Sequence, residues 1–165
     1  MTSWHDRSQE ERALLNPAFC ASLLWQAARG YANTGSGALS FEESFLVLPF
    51  VLHQDTREAL PRDTRTSLAV WLSENPLAQA RIARRAQFLI TYTKEGIIFG
   101  GMHGFIRLER GQLYGDDAWR RSVTSSLRES SDEVQACLRR SEFIGKWFAV
   151  AGNAPTVLAL MGVRP

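Results

Sequence analysis

The sequence is short of the residues that metal sites and most nucleophilic reactions require. It has three histidines, His5, His53 and His103, spaced about fifty positions apart, and two cysteines, Cys20 and Cys137. None of them stands at the short spacing from a second ligand that metal motifs show. The cysteines fit two reduced thiols on apolar helical faces rather than a disulfide framework. We therefore expect no metal and no cofactor.

Long apolar runs are also missing. The longest, residues 45–52, is interrupted by Pro49 and is much shorter than the roughly 20 residues of a membrane span. The first twelve residues, MTSWHDRSQEER, have neither the basic nor the apolar region of a signal peptide. These two observations predict a cytoplasmic protein without a membrane partner.

Neither sign of charge is in excess, since 19 basic and 17 acidic residues leave a formal net charge of +2. Bulk charge therefore predicts no polyanionic partner. Lysine is scarce, and Lys94 and Lys146 are the only two. The remaining basic residues are arginines, which can contact carboxylates or phosphates through two hydrogen bonds. Genome composition also produces such a bias, so it identifies no partner by itself.

The chain has 165 residues, 45% of them hydrophobic and 22% charged, as in ordinary globular proteins. We expect one domain over 1–165, with 1–15 as a loose N-terminal lead-in. Residues 45–52 are apolar on every side and should form the centre of the core. Ser40 and Glu43 form the pattern of a capping box, which predicts a buried helix that Pro49 kinks or ends. A buried strand is the alternative for so short an apolar run.

Other helix starts are marked by local signals. The pairs Asn16-Pro17 and Asn75-Pro76 each combine an N-cap with a proline at the first helical position. In the second helix one face is shared by Leu77, Ala80, Ala83 or Arg84, and Phe88, whereas Arg81, Arg84 and Arg85 lean toward another face. Ser130 with Glu133 predicts a capping box for a helix that runs to about residue 151.

The segment 105–109 alternates apolar and polar residues, and Arg110 and Gly111 follow as a tight turn, which predicts a β-hairpin. Before it we expect a helix capped by Asp63 or Thr64 and a long helix in which Gly96 marks a break or a close packing point. Helices followed by a hairpin are the order of a winged helix. The fold class is therefore mainly α, a compact helical domain with a winged-helix-like unit and one β-hairpin.

No constellation of catalytic residues is apparent, so we predict that the protein is not an enzyme. The glycines at 100, 101 and 104 lack the preceding strand and the Gly-Lys-Ser/Thr ending of a phosphate-binding loop. No nucleophile elbow is present.

Arginines are concentrated between residues 57 and 110. Over 57–85, six arginines stand against three acidic residues, and the predicted hairpin adds two more arginines. A basic helix with a basic wing holds DNA phosphates in winged helices, whereas scattered arginines more often face solvent or pair with a partner's carboxylates. Weak non-specific DNA contact and partner contact both remain open for Arg57, Arg62, Arg65, Arg81, Arg84, Arg85, Arg107 and Arg110.

The segment 143–152 combines large aromatic residues with the small residues Gly145, Ala149 and Gly152 at helical spacing. We favour a core interpretation, in which the helix containing Pro49 packs into the small stripe. The alternative is a docking surface for a partner, formed together with the C-terminal residues 162–165. The residues of that alternative are Phe143, Gly145, Trp147, Phe148 and Arg164.

Several runs resemble a known family. They are NPAF (16–19), FLVLPFVLH (45–53), TREALP (56–61), FIGKWFAVAG (143–152), the terminal MGVRP, and the pairs Trp71-Leu72 and Arg85-Ala86. With them, the chain from Asn16 to Pro165 resembles the middle component of bacterial three-component ABC ATPase (ABC-3C) conflict systems, and it is similar to Lamassu-type anti-phage systems. In these systems an SMC-like ABC ATPase and an effector, often a nuclease, are encoded beside a small middle protein. The shared motifs are structural and transfer no catalytic residue.

The resemblance implies a non-catalytic adaptor or regulatory subunit that binds the ATPase, helps to keep the effector silent and shares in its release when foreign DNA is sensed. Some accessory subunits of SMC complexes are winged-helix proteins, which agrees by analogy with the order of elements. The alternative is a stand-alone winged-helix DNA-binding regulator, with Arg81–Arg85 facing DNA and the small stripe serving dimerisation. A small enzyme is the third class, and no convergent set of titratable residues supports it.

Overall fold

The fold is mainly helical, as predicted. The computed structural model describes Ser8, Arg12 and residues 15–163, so most of the predicted lead-in lies outside the described residues. The helices are α1 Pro17–Ala32, α2 Phe41–Val51, α3 Gln54–Ala59, α4 Leu68–Glu74, α5 Pro76–Met102, α6 Arg120–Arg128, α7 Asp132–Ala151 and α8 Ala154–Leu160. The strands are β1 Leu39–Ser40, β2 Ile106–Glu109 and β3 Gln112–Gly115, and a 3-10 turn spans Asp117–Trp119.

Helix α2 lies in the core, which confirms the buried-helix interpretation over the strand alternative. Its capping box is formed as predicted: the Glu43 amide donates to Ser40 Oγ at 3.0 Å, and the Ser40 amide donates to the Glu43 carboxylate at 3.0 Å. The helix continues for two residues beyond Pro49, so the proline does not end it. The apolar side chains from Leu46 to Val51 are almost completely buried, and α2 contacts α1, α5 and α7.

The closest helix packing joins α1 and α7. A Cβ on Gly145 would lie 1.9 Å from the Ala27 carbonyl oxygen, and a Cβ on Gly30 would lie 2.2 Å from the Glu142 carbonyl oxygen. Because each helix contributes a glycine, the two backbones approach closer than any side chain would allow. The core interpretation is thus correct for Gly145, but the partner is α1; the prediction that the Pro49 helix fills the stripe is wrong.

Helix α5 is one continuous helix of 27 residues, about 40 Å long at 1.5 Å per residue. Gly96 does not break it. A Cβ at Gly96 would lie 3.0 Å from Cys20 Cβ, so this glycine is the close packing point of the alternative. Asn75 precedes the helix as predicted, but its side chain makes no N-cap bond and donates to the Trp71 carbonyl oxygen at 2.9 Å.

Two other caps differ from the prediction by a few residues. Helix α4 is capped by Ser67, whose hydroxyl accepts from the Val70 amide at 3.2 Å, rather than by Asp63 or Thr64. Helix α7 is capped by Ser131 instead of Ser130. Several polar residues compete near each start, and the sequence does not rank them.

The predicted hairpin is present, with β2 and β3 antiparallel around Arg110 and Gly111. Both turn residues have positive φ, 50° and 75°, as a two-residue hairpin turn of this hand requires. Strand β1 pairs with β3 and completes a three-stranded sheet of order β1-β3-β2. A two-residue strand has no readable period, so the sequence did not predict it. The winged-helix assignment is consistent with this order of elements and stays a prediction.

Within the residues that the structure describes, no single helix combines the length and apolar composition of a membrane span. The bent pair Asp132–Ala151 and Ala154–Leu160 meets those criteria when taken together, across a 105° bend.

Candidate functional site

Arg57, the first arginine of the predicted contact surface, is buried. Its side chain retains 4% exposure, its Nη1 donates to the Val51 carbonyl oxygen at 2.6 Å, and its Nη2 pairs with the Glu133 carboxylate. The guanidinium therefore ties α3 to the end of α2 and the first turn of α7. The structure removes Arg57 from the predicted surface, because this side chain is buried and both of its terminal nitrogens have partners inside the fold.

Arg85 is also partly committed to the interior. Its Nη2 donates to Thr56 Oγ1 at 2.9 Å and its Nε donates to the Arg81 carbonyl oxygen at 3.1 Å. Burial, with a smaller effect of the nearby Arg81 charge, lowers the pKa of Arg85. Arg85 thus adds positive potential near the surface while its hydrogen bonds fix it against α3.

Two exposed arginines are balanced by neighbouring carboxylates. Arg65 Nη2 lies 2.5 Å from Asp63 Oδ2, and Arg107 Nε lies 2.9 Å from Glu109 Oε1. The Arg107 guanidinium also lies 5.1 Å from the centre of the Tyr114 ring. Exposed ion pairs of this kind contribute little, because water and salt screen them, so a phosphate or carboxylate ligand can displace them. In the absence of such a ligand, the positive charge of each arginine is neutralised by its neighbouring carboxylate.

The remaining predicted arginines, Arg62, Arg81, Arg84 and Arg110, are exposed and have no ion pair with any residue that the structure describes. Arg81 and Arg84 lie in the first half of α5, and Arg110 lies in the hairpin turn. That turn is held beside the start of α2, because the Phe41 amide donates to the Gly111 carbonyl oxygen at 2.8 Å. Phe41 in turn lines one groove with Ala83, Ala86 and Ile90 of α5. Four of the eight predicted arginines are therefore exposed without an ion partner among the described residues, and their use as one surface stays a prediction.

Helix α5 has an exposed apolar face that sequence reasoning did not recognise as a surface. Leu77, Phe88, Ile98 and Met102 have 66%, 65%, 59% and 79% of their surface exposed. At 3.6 residues per turn they lie, together with Arg81 and Arg84, within about 100° of the helix circumference. We call these six residues the α5 stripe.

The opposite face of α5, which includes Ile82, Leu89, Gly96 and Ile97, is buried against α1 and α2. The sequence placed Leu77 and Phe88 on one face of α5 and Arg81 toward another, but all three lie on the exposed face, so that prediction is wrong for Arg81. The sequence also did not show that the opposite, apolar face of α5 packs into the core. The helical spacing of apolar residues alone does not indicate which face of α5 is buried and which is exposed.

The C-terminal docking candidates lie mostly inside the molecule. Trp147 and Phe148 are fully buried, and Trp147 Nε1 donates to the Thr66 carbonyl oxygen at 2.7 Å. With Gly145 against α1, these residues have no surface for a partner in the folded chain. Phe143 is half-buried on Trp147, at a ring-centre distance of 5.4 Å. Arg164 lies outside the described residues.

A groove of about 630 Å³ runs between α2, α5 and α8. Its lining is mainly apolar, with Phe45, Ile90 and Val163 among its residues, and Glu42 and Lys94 are its charged members. These two charged side chains form no recognisable acid–base pair with a nucleophile. The groove offers an apolar surface rather than a reaction site.

The buried titratable groups have structural surroundings. Burial raises the pKa of the Cys137 thiol, which donates to the Val51 carbonyl oxygen at 3.5 Å. Burial also raises the pKa of Glu43, whose carboxylate belongs to the α2 capping box. His53 caps α3 by accepting from the Thr56 amide at 3.4 Å. In the described part of the chain, no group of three or more His, Cys, Asp or Glu residues could hold a metal ion.

Comparison with known proteins identifies the family. Residues 4–165 match the family model of the ABC-three component (ABC-3C) system Middle Component 3, so the chain belongs to that family. Curated proteins and solved structures give no significant match. The protein is therefore a middle component of a three-component ABC system, which confirms the family resemblance at that level.

Proposed function

We propose that this Middle Component 3 protein is a non-catalytic adaptor that links an SMC-like ABC ATPase to an effector, in a complex directed against phages or plasmids. The observation that carries the proposal is the α5 stripe. Rows of large apolar side chains exposed on a regular helix are typical of protein-binding surfaces. A middle component must contact other members of its system, and this stripe supplies apolar area for such a contact.

The arrangement of the arginines also favours a protein partner. Arg57 and Arg85 make hydrogen bonds inside the fold, although Arg85 Nη1 is buried without a partner among the described residues, and Arg65 and Arg107 have carboxylate partners. The two unpaired arginines of the stripe lie between Leu77 and Phe88. A nucleic-acid phosphate backbone binds positively charged side chains but offers little contact to apolar side chains of this size. An interface that buries both kinds of residue is a better fit.

Co-purification tests the proposal. A tagged copy of the chain is produced together with the ATPase and the effector encoded beside it, with and without ATP, and the bound proteins are identified. We expect both components to be retained, and we expect the isolated protein to hydrolyse neither ATP nor nucleic acid. Failure to retain either component under both conditions would overturn the adaptor proposal. So would turnover by the purified protein that is lost on His103→Ala.

A stand-alone winged-helix DNA-binding regulator is the second candidate, because the hairpin follows α5 directly and Arg110 lies unpaired in its turn. A regulator of this kind needs a basic helix and a basic hairpin that reach one duplex together. The main arguments against it are the burial of Arg57 and the carboxylate partner of Arg107, because both withdraw positive charge from the predicted DNA-facing surface.

A further inference from the structure

We infer that the N-terminal half of the α5 stripe, Leu77, Arg81, Arg84 and Phe88, binds an acidic amphipathic helix of another component of the same system. This inference rests on the adaptor proposal and adds the contact surface and the chemistry of its occupant. It follows from three properties of the stripe, which are its shape, its charge and the apolar residues that flank the charges.

The shape of the surface favours a helix as the occupant. Leu77 and Phe88 are eleven residues apart in α5, which places them three turns and about 16 Å apart along one line. The backbone donors and acceptors of α5 are used within the helix, so an extended peptide lying on it would find no backbone partner. A helix satisfies its own backbone and can present a matching row of side chains to such a line.

The charge of the surface requires carboxylates on the occupant. Arg81 and Arg84 are one turn apart, and neither forms an ion pair with a described residue. Arg85 lies behind them, and the N-terminal end of α5 adds the positive end of the helix dipole. Asp55 lines the same hollow as Leu77 and Arg81 and offsets part of this charge. Covering the two guanidinium groups without matching carboxylates would carry a large desolvation cost.

The apolar residues decide against nucleic acid as the occupant. Leu77 and Phe88 flank the two arginines, and about two thirds of each side chain is exposed. A phosphate backbone would leave both in water, whereas the apolar row of an amphipathic helix would cover them. A helix with apolar residues at intervals of three and four and with Asp or Glu beside them satisfies both halves of the surface.

Two double variants test the inference against the purified ATPase and the purified effector of the same operon. Arg81→Glu with Arg84→Glu reverses the charge, and Leu77→Ser with Phe88→Ser removes the apolar contact. Matched controls are Arg120→Glu with Arg121→Glu on the exposed face of α6, and Val150→Ser on α7. The measurements are Kd by calorimetry or interferometry at two salt concentrations, and the thermal melting of each variant.

We expect each test variant to weaken binding to one component at least tenfold, with melting and both controls close to the wild type. Loss of binding in the serine variant alone would show that the occupant is not acidic and would overturn the inference. Normal binding by both variants would also overturn it, while wild-type binding would leave the adaptor proposal standing. If wild-type protein binds neither component, the adaptor proposal itself fails. If charge reversal abolishes duplex DNA binding and spares both protein components, the surface is a nucleic-acid site and the inference is wrong.

Discussion

The carbonyl oxygen of Ala27 lies 1.9 Å from the position that a Cβ on Gly145 would occupy. This contact, between the backbone of α1 and the smallest residue of α7, sets the distance between the two helices. The reciprocal contact of Gly30 with Glu142 repeats it one turn away. The α1–α7 pair is therefore the most sterically constrained part of the core, and small changes there should have large effects on stability.

Gly145→Ala should destabilise the protein. The added methyl group meets backbone rather than a flexible side chain, so the helices must separate, and overpacking of this kind costs about 1–3 kcal/mol. The matched control is Gly101→Ala in α5, where the nearest atom to the new Cβ would be 3.9 Å away. That change should be neutral or stabilise by up to about 1 kcal/mol. Urea unfolding of both variants checks the prediction, and equal stability of the two would contradict it.

Glu133→Gln should also destabilise the protein, through a different contact. Glu133 neutralises the buried Arg57 guanidinium, which would otherwise keep a charge in the core with one carbonyl partner. Removing a charged hydrogen-bond partner costs about 1–3 kcal/mol. Glu74→Gln, at an exposed position of α4, is the control and should change the free energy of unfolding little.

A double-mutant cycle with Arg57→Met separates this pair from the surrounding packing. If Glu133 acts through Arg57, its replacement should cost much less in the Arg57→Met background than in the wild type. An equal cost in both backgrounds would mean that Glu133 stabilises α7 by some other contact, such as its place in the first helical turn.

The predictions made from sequence succeeded where the interacting groups are neighbours along the chain. Ser40 and Glu43 satisfy each other's backbone within one turn, so their capping box depends on nothing distant. Arg110 and Gly111 likewise define their turn by local backbone conformation. In both cases the local preference and the packing agree, as expected of a sequence that specifies one fold.

The predictions failed where the outcome depends on which elements meet. The small residues around Gly145 predicted close approach of a backbone, but they carried no information on whether α1 or α2 would provide it. Arg57 is buried and pairs with a carboxylate 76 positions away, and no local pattern distinguishes it from the exposed Arg62. Leu77 and Phe88 have the helical spacing of core residues, and only the packed structure shows that α5 buries its other face.

Glu43 should make stability depend on pH. Burial raises the pKa of this carboxyl above its ordinary value of 4.5, so the folded state retains the proton to higher pH than the unfolded state. The folded state then binds more protons in this window, and the free energy of unfolding falls as pH rises from about 4.5 through the raised pKa. The contribution of Glu43 to stability is therefore fully present below 4.5 and lost above the raised pKa.

Glu43→Gln removes this titration and keeps an oxygen that can accept from the Ser40 amide. Relative to the wild type, the variant should gain stability as pH rises through that window, and the gain should level off above the raised pKa. Urea unfolding at a series of pH values measures it. Glu74→Gln, at an exposed position of α4, is the control, because Glu42 itself raises the pKa of Glu43 through its charge. A difference between Glu43→Gln and the wild type that does not change with pH would show that Glu43 is ionised in the fold.

The salt dependence of DNA binding distinguishes two contact surfaces. One is the set of eight arginines predicted from the sequence, and the other is the smaller set that the structure leaves exposed and unpaired. Each phosphate contact contributes about 0.9 to the slope of log affinity against log salt, so the eight predicted arginines acting together would give a slope of about −7. Arg57 and Arg85 make hydrogen bonds inside the fold, and Arg65 and Arg107 have carboxylate partners. Contact through Arg81 and Arg84 alone should give a slope of only about −2 and weak, sequence-independent binding.

Fluorescence anisotropy with a labelled duplex measures this slope. The salt concentration is varied from about 50 to about 200 mM, a range that includes physiological ionic strength. Arg81→Glu with Arg84→Glu should abolish the residual binding without lowering the melting temperature. A slope near −7 would instead show that the arginines of α5 and of the hairpin reach one duplex together, and it would favour the regulator over the adaptor.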